Sequence, residues 1–87
     1  MKIFKFPFEV KDSFEIEMPK EAEILTVQNQ KEVGTMWAMC NPDNKLVKRK
    51  FAVVGTGHDF DPKTDFIYLG TFQQAGGALV WHVFEIL

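Results

Sequence analysis

The sequence is short of the features that usually announce a function. It has one cysteine, Cys40, so no internal disulfide can form. The crosslinks that brace small secreted domains are thereby excluded, and a reducing compartment is the expected setting. No apolar stretch approaches the roughly 20 residues of a membrane-spanning helix, and one of the longest, Ala78 to Phe84, contains His82. No membrane segment is expected. The first residues carry Lys2 and Lys5 among aromatics, without the continuous apolar run of a secretory signal, so none is expected there either. Positive charge is not in excess: 10 Lys and Arg stand against 12 Asp and Glu, a formal charge of −2. That balance leaves little to replace the counterions of duplex nucleic acid, which is excluded as a partner. Long helical apolar stripes free of Gly or Pro are missing as well, as are internal repeats, low-complexity tracts and linkers. The 87 residues therefore read as one domain, 1–87.

What the sequence has in quantity is aromatic residues, nine Phe, two Trp and one Tyr, set in period-two patterns. Lys2 to Val10 puts Phe4, Phe6, Phe8 and Val10 on one side, and Pro7 marks an edge strand or a bulge, because proline cannot donate to a ladder. Ser13 to Met18 alternates Phe14, Ile16 and Met18 with Glu15 and Glu17, as a half-buried strand does. Glu23 to Gln28 and Thr35 to Cys40 are two further strands, separated by a polar connection from Asn29 to Gly34. Val47 to Gly55, Phe66 to Gln73 and Leu79 to Leu87 complete the set, with a glycine hairpin at Gln74-Ala75-Gly76-Gly77-Ala78. The expected fold is all-β, a single small antiparallel sandwich or partly open barrel of about seven strands. Phe4, Phe6, Phe8, Phe14, Phe51 and Phe84 are expected mainly in its interior. The last strand is apolar on both faces, as suits a central strand or one covered by another subunit.

Few residues form patterns with chemical meaning. Gly55-Thr56-Gly57 at a strand end could offer backbone N–H groups to an anion, but the Lys-Ser/Thr of a phosphate loop is missing and three aspartates follow. Those aspartates, Asp59, Asp61 and Asp65, depart from the calcium-loop pattern, with Thr64 where glycine belongs and Gly70 where the bidentate Glu belongs. His58, His82 and Cys40 have no recognised ligand or triad spacing, so no metal, cofactor or catalytic residue is assigned. The binding candidates that remain are Thr56 and His58 on the longest loop, and Gln73 and Gln74 as amides at the last hairpin. His82 and the indoles Trp37 and Trp81 join them, with Arg49 from the basic cluster Lys45, Lys48, Arg49 and Lys50. Each also has a structural explanation: Trp37 and Trp81 as core residues, Gln73 and Gln74 as exposed turn residues, the lysines as edge protection.

Three strings, Ala22-Glu23-Ile24-Leu25-Thr26-Val27-Gln28, Val54-Gly55-Thr56-Gly57-His58, and Tyr68-Leu69-Gly70-Thr71-Phe72-Gln73 followed by Gly76 to Glu85, carry a resemblance. Together they resemble a family of small uncharacterised domains of bacteriophage and bacterial genomes. The resemblance implies phage or prophage origin and action in the host cytoplasm, and transfers no catalytic residue. The resulting expectation is a non-enzymatic binding protein that acts as a homo-oligomer and sequesters a small nucleotide-like immune signal or a host defence protein. The alternatives are a virion or assembly-associated structural protein and a small metal-assisted hydrolase using His58 and Asp59.

Overall fold

The computed structural model describes residues 1–87. Alternating apolar and polar side chains build seven strands in it: β1 (Lys2–Phe8), β2 (Ser13–Pro19), β3 (Glu23–Gln30), β4 (Val33–Cys40), β5 (Leu46–Gly55), β6 (Phe66–Gln74) and β7 (Leu79–Ile86). Every pairing is antiparallel, in two sheets of order β1-β4-β3 and β2-β5-β7-β6. The fold is the all-β sandwich-like domain expected, and it contains no helix long and apolar enough to cross a membrane.

The facing sheets bury one side of each strand. Phe8, Val27, Met36, Ala38 and Cys40 come from the three-stranded sheet, and Met18, Phe51, Val53, Phe72 and Val83 from the four-stranded sheet. Aromatic rings knit the two layers together. Phe8 stacks on Phe14 at 4.9 Å between ring centroids and meets the edge of Phe72 at 5.8 Å, while Phe14 stacks on Phe51. Gly34 on β4 makes room for this packing, since a Cβ there would lie 2.8 Å from Cζ of Phe72 and 2.9 Å from the Phe8 ring. Pro7 does stand on an edge strand, for β1 pairs with β4 alone.

Several expectations are corrected. The connection expected over Asn29 to Gly34 is a two-residue hairpin turn, Lys31-Glu32, with β3 running on to Gln30 and β4 starting at Val33. Both turn residues have positive φ, 52° and 65°, the geometry that matches strand twist and is normally signalled by Asn-Gly. Phe84 is not interior. It lies on the outer face of the four-stranded sheet, where it pairs in register with Tyr68 and Ala52. Phe4 and Phe6 point inward but are not fully buried, because β1 is the rim of its sheet. The doubly apolar β7 is explained within the chain: it is central between β5 and β6, and the 56–65 loop lays Phe60 over its outer face.

The two sides of the sandwich differ. On one, β3 and β6 are tied by side chains: Asn29 Nδ2 donates to the Gln73 carbonyl at 2.7 Å and Gln74 Nε2 to the Glu32 carbonyl at 2.9 Å. Gly70 lets the two strands approach there, with Val27 in van der Waals range of where its side chain would be. On the other side, β1 and β2 each keep a free edge.

Candidate functional site

The outer face of the four-stranded sheet is where candidate chemistry converges. β7 supplies His82, flanked in register by Val54 of β5 and Thr71 of β6. The His82 ring is held at both nitrogens, with Thr56 Oγ1 2.7 Å from Nε2 and Thr71 Oγ1 2.9 Å from Nδ1. Tyr68 Oη extends the chain, 2.5 Å from Thr71 Oγ1. A neutral imidazole has one donor and one acceptor nitrogen, and the two hydroxyls can satisfy either tautomer by rotating their protons. The ring is therefore fixed in orientation while the proton order along Tyr68–Thr71–His82–Thr56 can reverse.

This ladder depends on an irregularity in β6. Tyr68 pairs with Phe84 and Gly70 with Val83, so Leu69 is the extra residue of a bulge. Without it, Tyr68 and Thr71 would face opposite sides of the sheet. The bulge turns a spacing of three into a shared face, and Gly70 beside it is the residue type that marks such a defect.

Next to the polar ladder lies an aromatic cluster. Phe60 from the loop stacks on Phe84 at 4.6 Å and meets Phe66 edge-on at 5.7 Å, and Tyr68 leans on Phe84 at 5.5 Å. Much of it faces solvent: Phe66 is 45% exposed and Tyr68 55%. Toward β2 the face becomes a charged checkerboard, with Lys50 opposite Glu15 and Lys48 opposite Glu17, the arrangement that stabilises cross-strand pairs.

The eight candidate residues divide. Thr56 and His82 are joined directly, and Gln73 stands on the same face opposite Val80. His58 folds back over Gly55, its N–H bonded to the Gly55 carbonyl at 3.0 Å, and borders a shallow cleft of about 140 Å³ with Thr56, Leu79 and Trp81. Trp81 points between the sheets, where its Nε1 donates to Gln74 Oε1 at 3.1 Å, so these two candidates hold each other and brace the β3–β4 turn. Arg49 also points inward. Its Nε and Nη2 donate to the two carboxylate oxygens of Glu85 at 2.7 Å each, and Nη1 donates to the Ala22 carbonyl at 2.6 Å. That fork–fork geometry commits the guanidinium to joining β5, β7 and the chain just before β3. Trp37 faces outward from the other sheet, beside Lys5 and Thr26 in register, and has no part in the His82 ladder.

Alternation puts Phe66 with Tyr68 and Phe84 with His82, but only the bulge brings Thr71 onto their face, and none of Phe66, Tyr68, Thr71 and Phe84 is among the candidates read from the sequence. No three His, Cys, Asp or Glu residues cluster as a metal site would require, so Asp59, Asp61 and Asp65 do not converge. The four clefts on the surface have volumes of about 140 to 370 Å³. The largest lies along the loop, lined by residues that include Lys50, Phe60 and Lys63.

No curated protein and no solved structure matches the chain. A family model does match, over residues 1–86, and the chain belongs to that family, DUF7352, a domain of unknown function.

Proposed function

We propose that the chain is a non-enzymatic binding domain whose partner is a protein, engaged by the outer face of the four-stranded sheet. The observation that carries this reading is the union, on one face, of exposed Phe66 and Tyr68 with an imidazole fixed between two hydroxyls. Aromatic anchors with adaptable polar groups beside them are what protein interfaces concentrate at their centres. A small nucleotide is the weaker fit. Pockets that enclose such ligands have volumes of roughly 300 to 1,000 Å³ and bury most of the ligand; the cleft at Thr56 and His58 has about 140 Å³, and the one of about 370 Å³ along the loop is lined by no residue of the His82 ladder. With the resemblance to phage and bacterial domains, the reading takes the partner to be a host protein met in the cytoplasm.

A second reading has one observation in its favour. Thr56 Oγ1 on His82 Nε2, with Thr71 on Nδ1, has the order nucleophile, base, orienting group used in acyl transfer. The deciding experiment uses Tyr68→Ala, Phe66→Ser and Thr56→Val. Affinity capture from host lysate with the wild-type chain is expected to retain a defined protein, lost with Tyr68→Ala and Phe66→Ser and weakened without being lost with Thr56→Val. Thermal stabilisation by a nucleotide panel would overturn the protein reading, and ester hydrolysis abolished by Thr56→Val would replace it with the enzymatic one.

A further inference from the structure

The open side of the sandwich has a chemistry of its own. Edge strands are usually protected from pairing with another chain, and the β3–β6 side is closed by side-chain ties. The β1 and β2 edges are not, and the four-residue link from Glu9 to Asp12 sets them together at one side, with Phe8 stacked on Phe14. Apolar surface accompanies the free backbone. Ile3 is 60% exposed and Phe4 37%, and Ile16 is only partly buried.

The charges on the two edges are opposite. On β2, Glu15 and Glu17 face outward; on β1, Lys5 does so. Two β2 strands laid together would bring these glutamates against each other, and two β1 strands would oppose their lysines and lose a donor at Pro7. Like charges directly opposite destabilise a strand pair. Pairing of β1 with β2 avoids the like charges, because Lys5 then meets Glu15 or Glu17 while Phe4 and Ile16 stay on the inner face.

We propose that this side binds a second copy of the chain, with β1 of each protomer pairing with β2 of the other about a two-fold axis. The pairing closes both free edges at once and joins each three-stranded sheet edge to edge with the partner's four-stranded sheet, seven strands in all. Pro7 confines it to about Lys2–Phe6 of β1, since beyond that point the strand lacks a donor. The contact leaves the outer face that carries His82 and Tyr68 free.

Charge reversal tests this with a built-in rescue. Variant one is Lys5→Glu. Variant two is Glu15→Lys, Glu17→Lys, Lys48→Glu and Lys50→Glu together, which reverses the edge while keeping the β2–β5 pairs within the chain. By sedimentation or light scattering the wild type is expected to be a dimer, and each variant alone to dissociate about tenfold more readily or worse. An equimolar mixture is expected to recover the dimer, because in the mixed pair both edges meet an opposite charge. A monomeric wild type at high micromolar concentration, a dimer indifferent to both variants, or a mixture of folded variants that fails to associate would each overturn the proposal. Should a variant fail to fold by circular dichroism, amide exchange on the wild type decides: Lys2–Phe6 and Phe14–Met18 gain protection as concentration rises, and unchanged exchange there rejects the dimer.

Discussion

Replacing Glu85 by Leu would leave the Arg49 guanidinium between the sheets with only the Ala22 carbonyl as a partner. The side chains of the pair are 21% and 10% exposed, and two of its three hydrogen bonds are made to the lost carboxylate at 2.7 Å. Breaking a buried pair from one side costs about 3 to 5 kcal/mol, and the residual water access to Arg49 argues for the lower end, about 3 kcal/mol. A domain of this length has a total stability of roughly 4 to 13 kcal/mol, so the variant should be close to unfolding at the weak end of that range. In thermal terms about 3 kcal/mol corresponds to a loss of roughly 12 to 24 °C. Arg49→Met should cost at least as much, because the carboxylate it strands is the more buried partner and loses both of its hydrogen bonds. Joining Arg49→Met to Glu85→Leu should recover most of the loss, since apolar replacement of both partners is often neutral. The assay is urea denaturation of wild type, both singles and the double. If the double variant loses the sum of the singles, the pair is not coupled and the account of Arg49 as an internal strut is wrong.

Other perturbations follow from the same geometry. Phe60→Ala removes a half-buried ring from Phe84 and Phe66 and should cost about 1 to 2 kcal/mol; tryptic cleavage at Lys63 in the released loop should speed up, and unchanged cleavage would show that the ring does not hold the loop. Gly34→Ala forces a methyl to within 3 Å of the interlocked Phe8 and Phe72 rings, and overpacking of this kind costs about 1 to 3 kcal/mol, readable as a lower denaturation midpoint. Lys31→Gly relieves a left-handed residue and should stabilise by up to about 1 kcal/mol. Glu32→Gly relieves similar strain but forfeits the carboxylate bond to the Ala75 N–H, 3.1 Å long, so it should gain less in the same melt.

Strand alternation made most of the fold legible. Glu15 and Glu17 against Phe14, Ile16 and Met18, or Met36, Ala38 and Cys40 against Trp37 and Met39, have one reading, and the buried rows follow it. Alternation fails where pairing gains or loses a residue. Lys31-Glu32 carries none of the usual turn chemistry, and its positive φ values are imposed by the strands it joins. The bulge at Leu69 shifts the phase of β6, so Tyr68 and Thr71 meet on one face although strict alternation separates them. Gly70 was the available hint, and a glycine within a strand does not say which neighbour is extra. The charged residues are less legible in the sequence. Lys48, Arg49 and Lys50 form one basic run, yet two face solvent beside glutamates and the third turns inward to an acid 36 residues away, a pairing only the register of β5 on β7 reveals.

Strand register also accounts for the high aromatic content. Two sheets of three and four strands enclose a thin core, and Phe8, Phe51 and Phe72 fill much of it, with Phe14 packed against its rim. Phe60, Phe66, Tyr68 and Phe84 lie outside, and a fold whose only demand was stability would gain more from polar residues on an exposed sheet face. Their cost is limited by the loop, which covers Phe84 with Phe60 and leaves Phe66 and Tyr68 open. On the proposed reading, this partly covered patch is what anchors the partner. On that reading the hydroxyl–imidazole ladder at its border adds direction to the contact, because a partner would exchange hydrogen bonds with Tyr68, Thr71 and Thr56 only in one orientation relative to the rings.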